Sequence, residues 1–265
     1  MSSMAETYDP KLDLGRVASD AFSLLTRQPV LYFGLSLVIA GVPSAISTYV
    51  KGAWWFDGGS VFFRHHAPSV LVGMLIAGFL EGCLFHLSFA ELAGRRTDLR
   101  EVLESGLKFF LPLFAVRFLF WCAVIAGMIA LVVPGVMIAM AWIVAAPVLV
   151  AERGSITDTF GRSAFLTRDN RWRIFGLVLL FGGICMLLGA VLGAFTGWRG
   201  AWLDDVFDAN PLAIGRNVVF VTLTDALFLA GLSALYVRLR ELKEGFDPAG
   251  LAQGDFSRDP ATKLG

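Results

Sequence analysis

Residues 109–151 read FFLPLFAVRFLFWCAVIAGMIALVVPGVMIAMAWIVAAPVLVA, and Arg117 is the one charged side chain among them. An α-helix rises about 1.5 Å per residue, so roughly twenty apolar residues match a hydrocarbon core of about 30 Å. The stretch is long enough for two crossings. Val133-Pro134-Gly135, where they meet, reads as a turn too short for anything but an antiparallel helical hairpin. Working outward by the same criterion gives spans at 29–50, 69–92, 109–133, 135–151, 174–197 and 214–238. The composition agrees, with 56% hydrophobic residues against 17% charged and a mean hydropathy of +0.68. A water-soluble domain of this composition would expose too much apolar surface to stay dispersed. The expected fold is therefore all-α, an integral membrane bundle of six transmembrane helices.

Pro43, Pro112, Gly127, Pro147 and Gly189 interrupt spans. Membrane helices tolerate such residues because neighbouring helices re-satisfy the freed carbonyls. The first apolar run begins near Pro29, after a charged segment, and is long enough to span, so it is expected to be retained rather than cleaved as a signal peptide. Residues 1–10 are expected to be a disordered N-terminus, 11–243 the membrane domain, and 244–265 a disordered cytoplasmic tail rich in Gly, Asp and Pro. Cys83, Cys122 and Cys185 fall inside spans and read as small apolar side chains, implying neither a disulfide nor a metal site.

Orientation follows from the basic residues, although the net charge is zero. One set of connecting segments carries Lys11, Arg16, Arg27, Arg95, Arg96, Arg100, Lys108, Arg153, Arg162, Arg168, Arg171, Arg173, Arg238, Arg240, Lys243, Arg258 and Lys263. The opposite set carries Lys51, Arg64, Arg199 and Arg216. The positive-inside rule places the rich set, and with it both termini, in the cytoplasm. Trp54, Trp55, Phe56, Trp198 and Trp202 in the outer loops suit the interfacial aromatic belt.

Each pair of spans follows a short amphipathic segment on the basic side. Leu14, Val17, Ala18, Ala21, Phe22 and Leu25 form the first, and Leu99, Val102, Leu103, Gly106, Leu107 and Phe110 repeat that spacing in the second. Asp98 and Glu101 are expected to cap the second reciprocally. The third uses Ile156, Phe160, Ala164, Phe165 and Leu166, started by Ser155 and Asp158. Helical spacing with charge on the other face predicts helices lying in the headgroup plane or packed as caps on the bundle. Thr26-Arg27 before Phe33-Gly34-Leu35 is echoed by Thr167-Arg168 before Phe175-Gly176-Leu177. Gly52-Ala53-Trp54 is likewise echoed by Gly200-Ala201-Trp202. Three parallel repeats of amphipathic helix plus helical hairpin are the expected organisation.

Glu81, Arg117 and Asp225 lie well inside spans, with His86 close to Glu81. A charge at the helix centre costs about 2.5–3.5 kcal/mol on insertion scales, so such residues normally face the bundle and have partners. In one reading Glu81 and Arg117 form a buried ion pair that fixes helix packing, with Asp225 neutral or hydrogen-bonded to Thr222 or Thr224. In the other, Glu81, His86 and Asp225 line a polar path for a proton, an ion or a lipid headgroup. On the basic side, Arg162, Arg168, Arg171, Trp172 and Arg173 form the densest cationic patch. It retains positive charge inside and attracts anionic headgroups, at about 1 kcal/mol per basic residue. Nucleic acid is a poor partner for a patch beside the membrane on a chain of zero net charge.

No enzyme signature is present: no Walker-type loop, no GxSxG elbow and no HExxH. His65-His66 stand eight positions from Asp57, the nearest acid, in what reads as a mobile outer loop. The three histidines do not supply the converging acids and imidazoles that phospholipid hydrolysis requires. No cofactor is expected.

Val133-Pro134-Gly135, Ala145-Ala146-Pro147, Glu152, then Arg162-Ser163-Ala164-Phe165-Leu166-Thr167 before Arg171-Trp172 form an ordered series. Together with Leu235-Tyr236-Val237-Arg238-Leu239-Arg240 and Lys243-Glu244-Gly245, it resembles the YciC-like proteins of the bacterial inner membrane. It also resembles the membrane domain attached to some glycerophosphoryl diester phosphodiesterases. The similarity covers residues 12–247. It implies a multi-span bacterial protein of unsettled role. The phosphodiesterase activity belongs to a separate soluble barrel that the residues here do not encode, and no catalytic position carries over. The expected function is a non-enzymatic, lipid-interacting or scaffolding membrane module. Its expected partners are anionic lipids at the cytoplasmic face and a membrane protein or a second copy of the chain. The alternative is a transporter or lipid-handling channel that uses Glu81 and Asp225.

Overall fold

The structure is a computed structural model that describes residues 12–46, 61–95, 97–195 and 211–245. The expected disordered N-terminus, the expected tail beyond residue 245 and the expected aromatic belt, Trp54, Trp55, Phe56, Trp198 and Trp202, lie outside the described residues, as does the Gly52/Gly200 echo. The described residues are helical, without strands: α1 (Leu14–Arg27), α2 (Pro29–Ser36), α3 (Val61–Leu92), α4 (Leu99–Ala130), α5 (Val132–Trp142), α6 (Ala145–Glu152), α7 (Ile156–Thr167), α8 (Arg171–Phe195) and α9 (Pro211–Glu244). They supply six helical segments long and apolar enough to cross a membrane: Pro29–Ile46, Val72–Leu92, Leu99–Ala130, Val132–Glu152, Arg171–Phe195 and Pro211–Glu244.

Local chemistry accounts for the boundaries. Asp13 starts α1 by accepting hydrogen bonds from the Gly15 and Arg16 amides at 2.9 and 3.2 Å. The helix then buries Val17, Ala21, Leu24 and Leu25, leaving Phe22 half exposed. Beyond α2 the first span passes through a π-helical turn at Leu37–Gly41 before resuming as helix. Gly41 packs there against α9: a Cβ at this position would come within 2.8 Å of Thr222 Oγ1.

Three boundaries differ from the sequence reading. The amphipathic segment at 99–110 is not a separate interfacial helix but the first turns of α4. Its apolar stripe divides: Val102 and Gly106 are buried, Leu103 and Phe110 are half-buried, and Leu99 (49%) and Leu107 (63%) stay exposed. Ser105 Oγ donates to the Gly82 carbonyl at 3.4 Å, and a Cβ on Gly82 would meet Gly106 Cα at 3.0 Å. Asp98 stands at the N-cap of α4 but makes no side-chain cap, and the Glu101 side chain pairs with Arg95 at 3.1 Å. Third, the hairpin turns on one extended residue, Leu131 (φ −167°, ψ 145°), two residues before the expected Val133-Pro134-Gly135 turn. Pro134 falls in the first turn of α5, where its missing N–H costs nothing.

The fourth span is broken between α5 and α6. Pro147, near the start of α6, cannot donate to the carbonyl four residues back, at Ile143, and its ring crowds that carbonyl. The neighbouring Ala141 carbonyl accepts from Ser163 Oγ at 2.9 Å and Thr167 Oγ1 at 3.1 Å, which seats α7 on the break. Ser155 caps α7 as expected: its Oγ accepts from the Asp158 amide at 3.2 Å and donates to the Asp158 carboxylate. The Thr26/Thr167 echo has a shared geometry, each hydroxyl donating to a carbonyl one turn back, Phe22 at 3.1 Å and Ser163 at 2.9 Å. Helix α9 runs through Glu244, so the expected tail boundary moves beyond that residue.

The helices are unequal in burial. In α3 and α9, 56% of the most apolar window is buried, against 17% in α4 and α8. Helices α3 and α9 are the inner ones. The outer ones present large apolar side chains to their surroundings, among them Ile129 (81% exposed) and Phe195 (85% exposed). An apolar surface of this extent is stable only in hydrocarbon. The protein is a multi-span membrane protein.

Candidate functional site

Arg117 of α4 and Glu81 of α3 meet inside the bundle, Nη1 to Oε1 at 2.6 Å. The arginine side chain is 32% exposed and the glutamate 10%. Side chains on a helix lean toward its N-terminus, so Arg117 reaches back along α4 to Glu81. Glu81 Oε2 is buried and has no hydrogen-bond partner.

Asp225 of α9 completes the group. Two contacts fix the register of the first span against the inner helices: Tyr32 OH to Ser88 Oγ at 2.8 Å, and Gly41 against Thr222. The first span runs antiparallel to both α3 and α9, so counting along from these contacts sets Glu81 and Asp225 at the same depth. Asp225 is accordingly in electrostatic range of both Glu81 and Arg117. The expected hydrogen bond from Thr222 or Thr224 to Asp225 is not formed. Thr224 Oγ1 donates to the Phe220 carbonyl at 2.8 Å, and Thr222 Oγ1 is buried without a partner. Ser36 Oγ, just before the π-helical turn, is buried and unpartnered as well.

His86 does not join the group. Five residues separate it from Glu81, about 140° around the helix, so the two side chains leave α3 on different sides. The charges that act on His86 are those of Arg95, Glu101 and Arg153. His65 and His66 belong to α3 rather than a loop, and their side chains lie outside what is described. Among the described residues no group of three or more His, Cys, Asp or Glu side chains could hold a metal ion. Cys83 is buried, Cys185 half-buried and Cys122 exposed on the apolar surface.

At the basic end a network ties four elements together. Arg162 of α7 donates from Nε to both oxygens of Glu152 at 3.0 and 2.9 Å, and it also pairs with Glu244 of α9. Arg240, 5% exposed, donates to Glu244 at 3.1 Å and to Tyr236 OH at 3.1 Å. Tyr236 OH in turn donates to Glu152 at 3.0 Å. Desolvation opposes the charge on Arg162, but the two carboxylates outweigh it and raise its pKa further. Arg238 joins Asp20 of α1 at 2.7 Å and Glu241 at 2.6 Å. Lys243 hydrogen-bonds Asp169 at 2.8 Å and holds that exposed carboxyl below its ordinary range. The sequence reading missed this network. Its one legible signal was the Arg240–Glu244 spacing on a single helix face.

The basic cluster therefore divides. Arg162 is committed to Glu152 and Glu244, and Arg173 donates to the Leu12 carbonyl at 2.8 Å. Asn170 accepts from the Leu12 amide at 3.2 Å, so both anchor the chain before α1. Arg168 is exposed, Arg171 is half-buried with its Nε unpartnered, and Trp172 is 80% exposed. Trp172 stands edge-on to Phe175, and Phe165 on the preceding helix is half exposed. A second site unseen in the sequence is Glu91. It is 4% exposed with neither carboxylate oxygen hydrogen-bonded, while Arg27 donates to its backbone carbonyl at 3.2 Å.

No family model, no curated protein and no solved structure matches this chain.

Proposed function

We propose that the protein is a non-enzymatic module of the bacterial cytoplasmic membrane, with both termini inside, whose basic end binds anionic lipid headgroups. The YciC-like resemblance implies the same setting. The observation that carries the reading is the division of the basic cluster. Intramolecular carboxylates neutralise Arg162, Arg238, Arg240 and Lys243, whereas Arg168, Arg171 and Trp172 stand at the mouth of α8 beside exposed apolar side chains. An indole between cations, at the level where hydrocarbon gives way to headgroups, suits phosphate above and acyl chain below. The ion-pair network behind it makes that edge a rigid platform.

The test is a lipid titration. At about 1 kcal/mol per basic residue, replacing Arg168 and Arg171 with Ala should weaken binding of phosphatidylglycerol about 30-fold, and added salt should weaken the unaltered protein's binding. Trp172 fluorescence in nanodiscs of graded phosphatidylglycerol content reads it, with Trp172→Phe as the blank. Equal response to phosphatidylglycerol and phosphatidylcholine would refute the proposal.

A second reading, a carrier, is supported by one observation. Glu81 holds an unpartnered carboxylate oxygen at the depth of Asp225, where a purely structural ion pair needs neither.

A further inference from the structure

We propose that Glu81, Asp225 and Arg117 form an intramembrane proton site in which the two carboxylates share one exchangeable proton and the guanidinium is the fixed counter-ion. The inference stands apart from lipid binding at the basic end and does not depend on it.

Charge and geometry carry it. Two acids and one arginine leave a net negative charge when all are ionised, and a net charge inside hydrocarbon is strongly disfavoured. One bound proton makes the group neutral. Arg117 is engaged through Glu81 Oε1, which leaves Oε2 buried with no donor. A proton is the smallest partner that satisfies such an oxygen.

Among the described residues, the charges that act on the two acids are those of the group itself. From the first span come Ser36 and Gly41, from α9 Thr222 and Asp225, and from α4 Arg117; Cys185 of α8 is within electrostatic range of Asp225. His86, on α3 itself, responds to charges at the basic end. Glu152 of α6, which also packs on α3, is held by Arg162 and Tyr236. The unpartnered hydroxyls of Ser36 and Thr222 flank a π-helical turn, a distortion that in other helices frequently accompanies function. They provide polar contacts beside the acids. In the exchange step the O–H bond of a carboxylic acid breaks, its proton passes to water as hydronium, and the electron pair stays on the carboxylate.

The experiment is infrared spectroscopy of the full chain in vesicles of phosphatidylethanolamine and phosphatidylglycerol, following the carbonyl stretch of protonated carboxyls across a pH titration. Glu91→Gln serves as the background, because that other buried acid would add a band of its own. One titrating carboxyl is expected, lost in both Glu81→Gln and Asp225→Asn. Arg117→Met should double the band by letting a second proton bind. The Arg117→Met arm and the unaltered titration remain readable if an acid variant fails to fold. A background protein with no protonated carboxyl at neutral pH, or a band that survives Glu81→Gln and Asp225→Asn unshifted, would overturn the proposal.

Discussion

Arg117 is the one ionisable side chain in a stretch of more than forty apolar residues, and Glu81 stands 2.6 Å from it. Removing one member takes the hydrogen-bonded partner from the other, which for a buried pair costs about 3–5 kcal/mol. Arg117 is a third exposed, so the low end applies. Glu81→Gln and Arg117→Met should each lower the thermal midpoint in detergent by an amount corresponding to about 3 kcal/mol, and the double change should recover most of it. Additive losses would mean that the pair is not coupled. Both residues were legible in the sequence, because a charge in an apolar run demands a partner. Asp225 was legible as an oddity, but its companions were not: Thr222 and Thr224 are neighbours in sequence, yet neither hydroxyl turns to it. Glu152, Arg162, Tyr236, Arg240 and Glu244 were individually visible, while their network needs the register between α6, α7 and α9, which no local pattern encodes.

At the scale of elements, small residues decide how near the helices come. Gly78 on α3 packs so close to α4 that a Cβ would stand 2.8 Å from the Phe110 carbonyl oxygen, a backbone atom that cannot swing aside. Gly78→Ala should therefore push α3 and α4 apart and destabilise by about 1–3 kcal/mol, read as a lower midpoint in thermal unfolding. Gly73→Ala, with open space around the added methyl, should be near neutral. The same close packing explains why the second amphipathic segment was misread. Its apolar stripe is the one an interfacial helix would carry, but here α3 covers the part around Gly106, while Leu99 and Leu107 stay exposed. Period alone reports that a face is buried and says nothing about what buries it. The π-helical turn at Leu37–Gly41 was illegible for a related reason, since it depends on how the first span meets α9.

For the whole molecule, hydrocarbon as solvent is what makes the architecture readable. Six segments of sufficient length and apolarity announce themselves without any tertiary information, and two of them, in α3 and α9, are the most buried. The orientation proposed from the basic residues has a direct check. With the native cysteines replaced, Gly154→Cys, in the exposed link between α6 and α7, should react with a membrane-impermeant maleimide in inverted vesicles and resist it in intact cells. Labelling from the outside would reverse the topology. Beneath that topology lies the division at the basic end, where some cations pair with carboxylates between helices and Arg168 and Arg171 are the proposed lipid contacts. Native mass spectrometry of the protein released gently from its own membrane tests that division most directly. The expected spectrum shows an anionic phospholipid retained on the chain and lost when Arg168 and Arg171 are replaced with Ala. A spectrum with zwitterionic lipid alone, or with anionic lipid retained equally by that variant, would contradict the account.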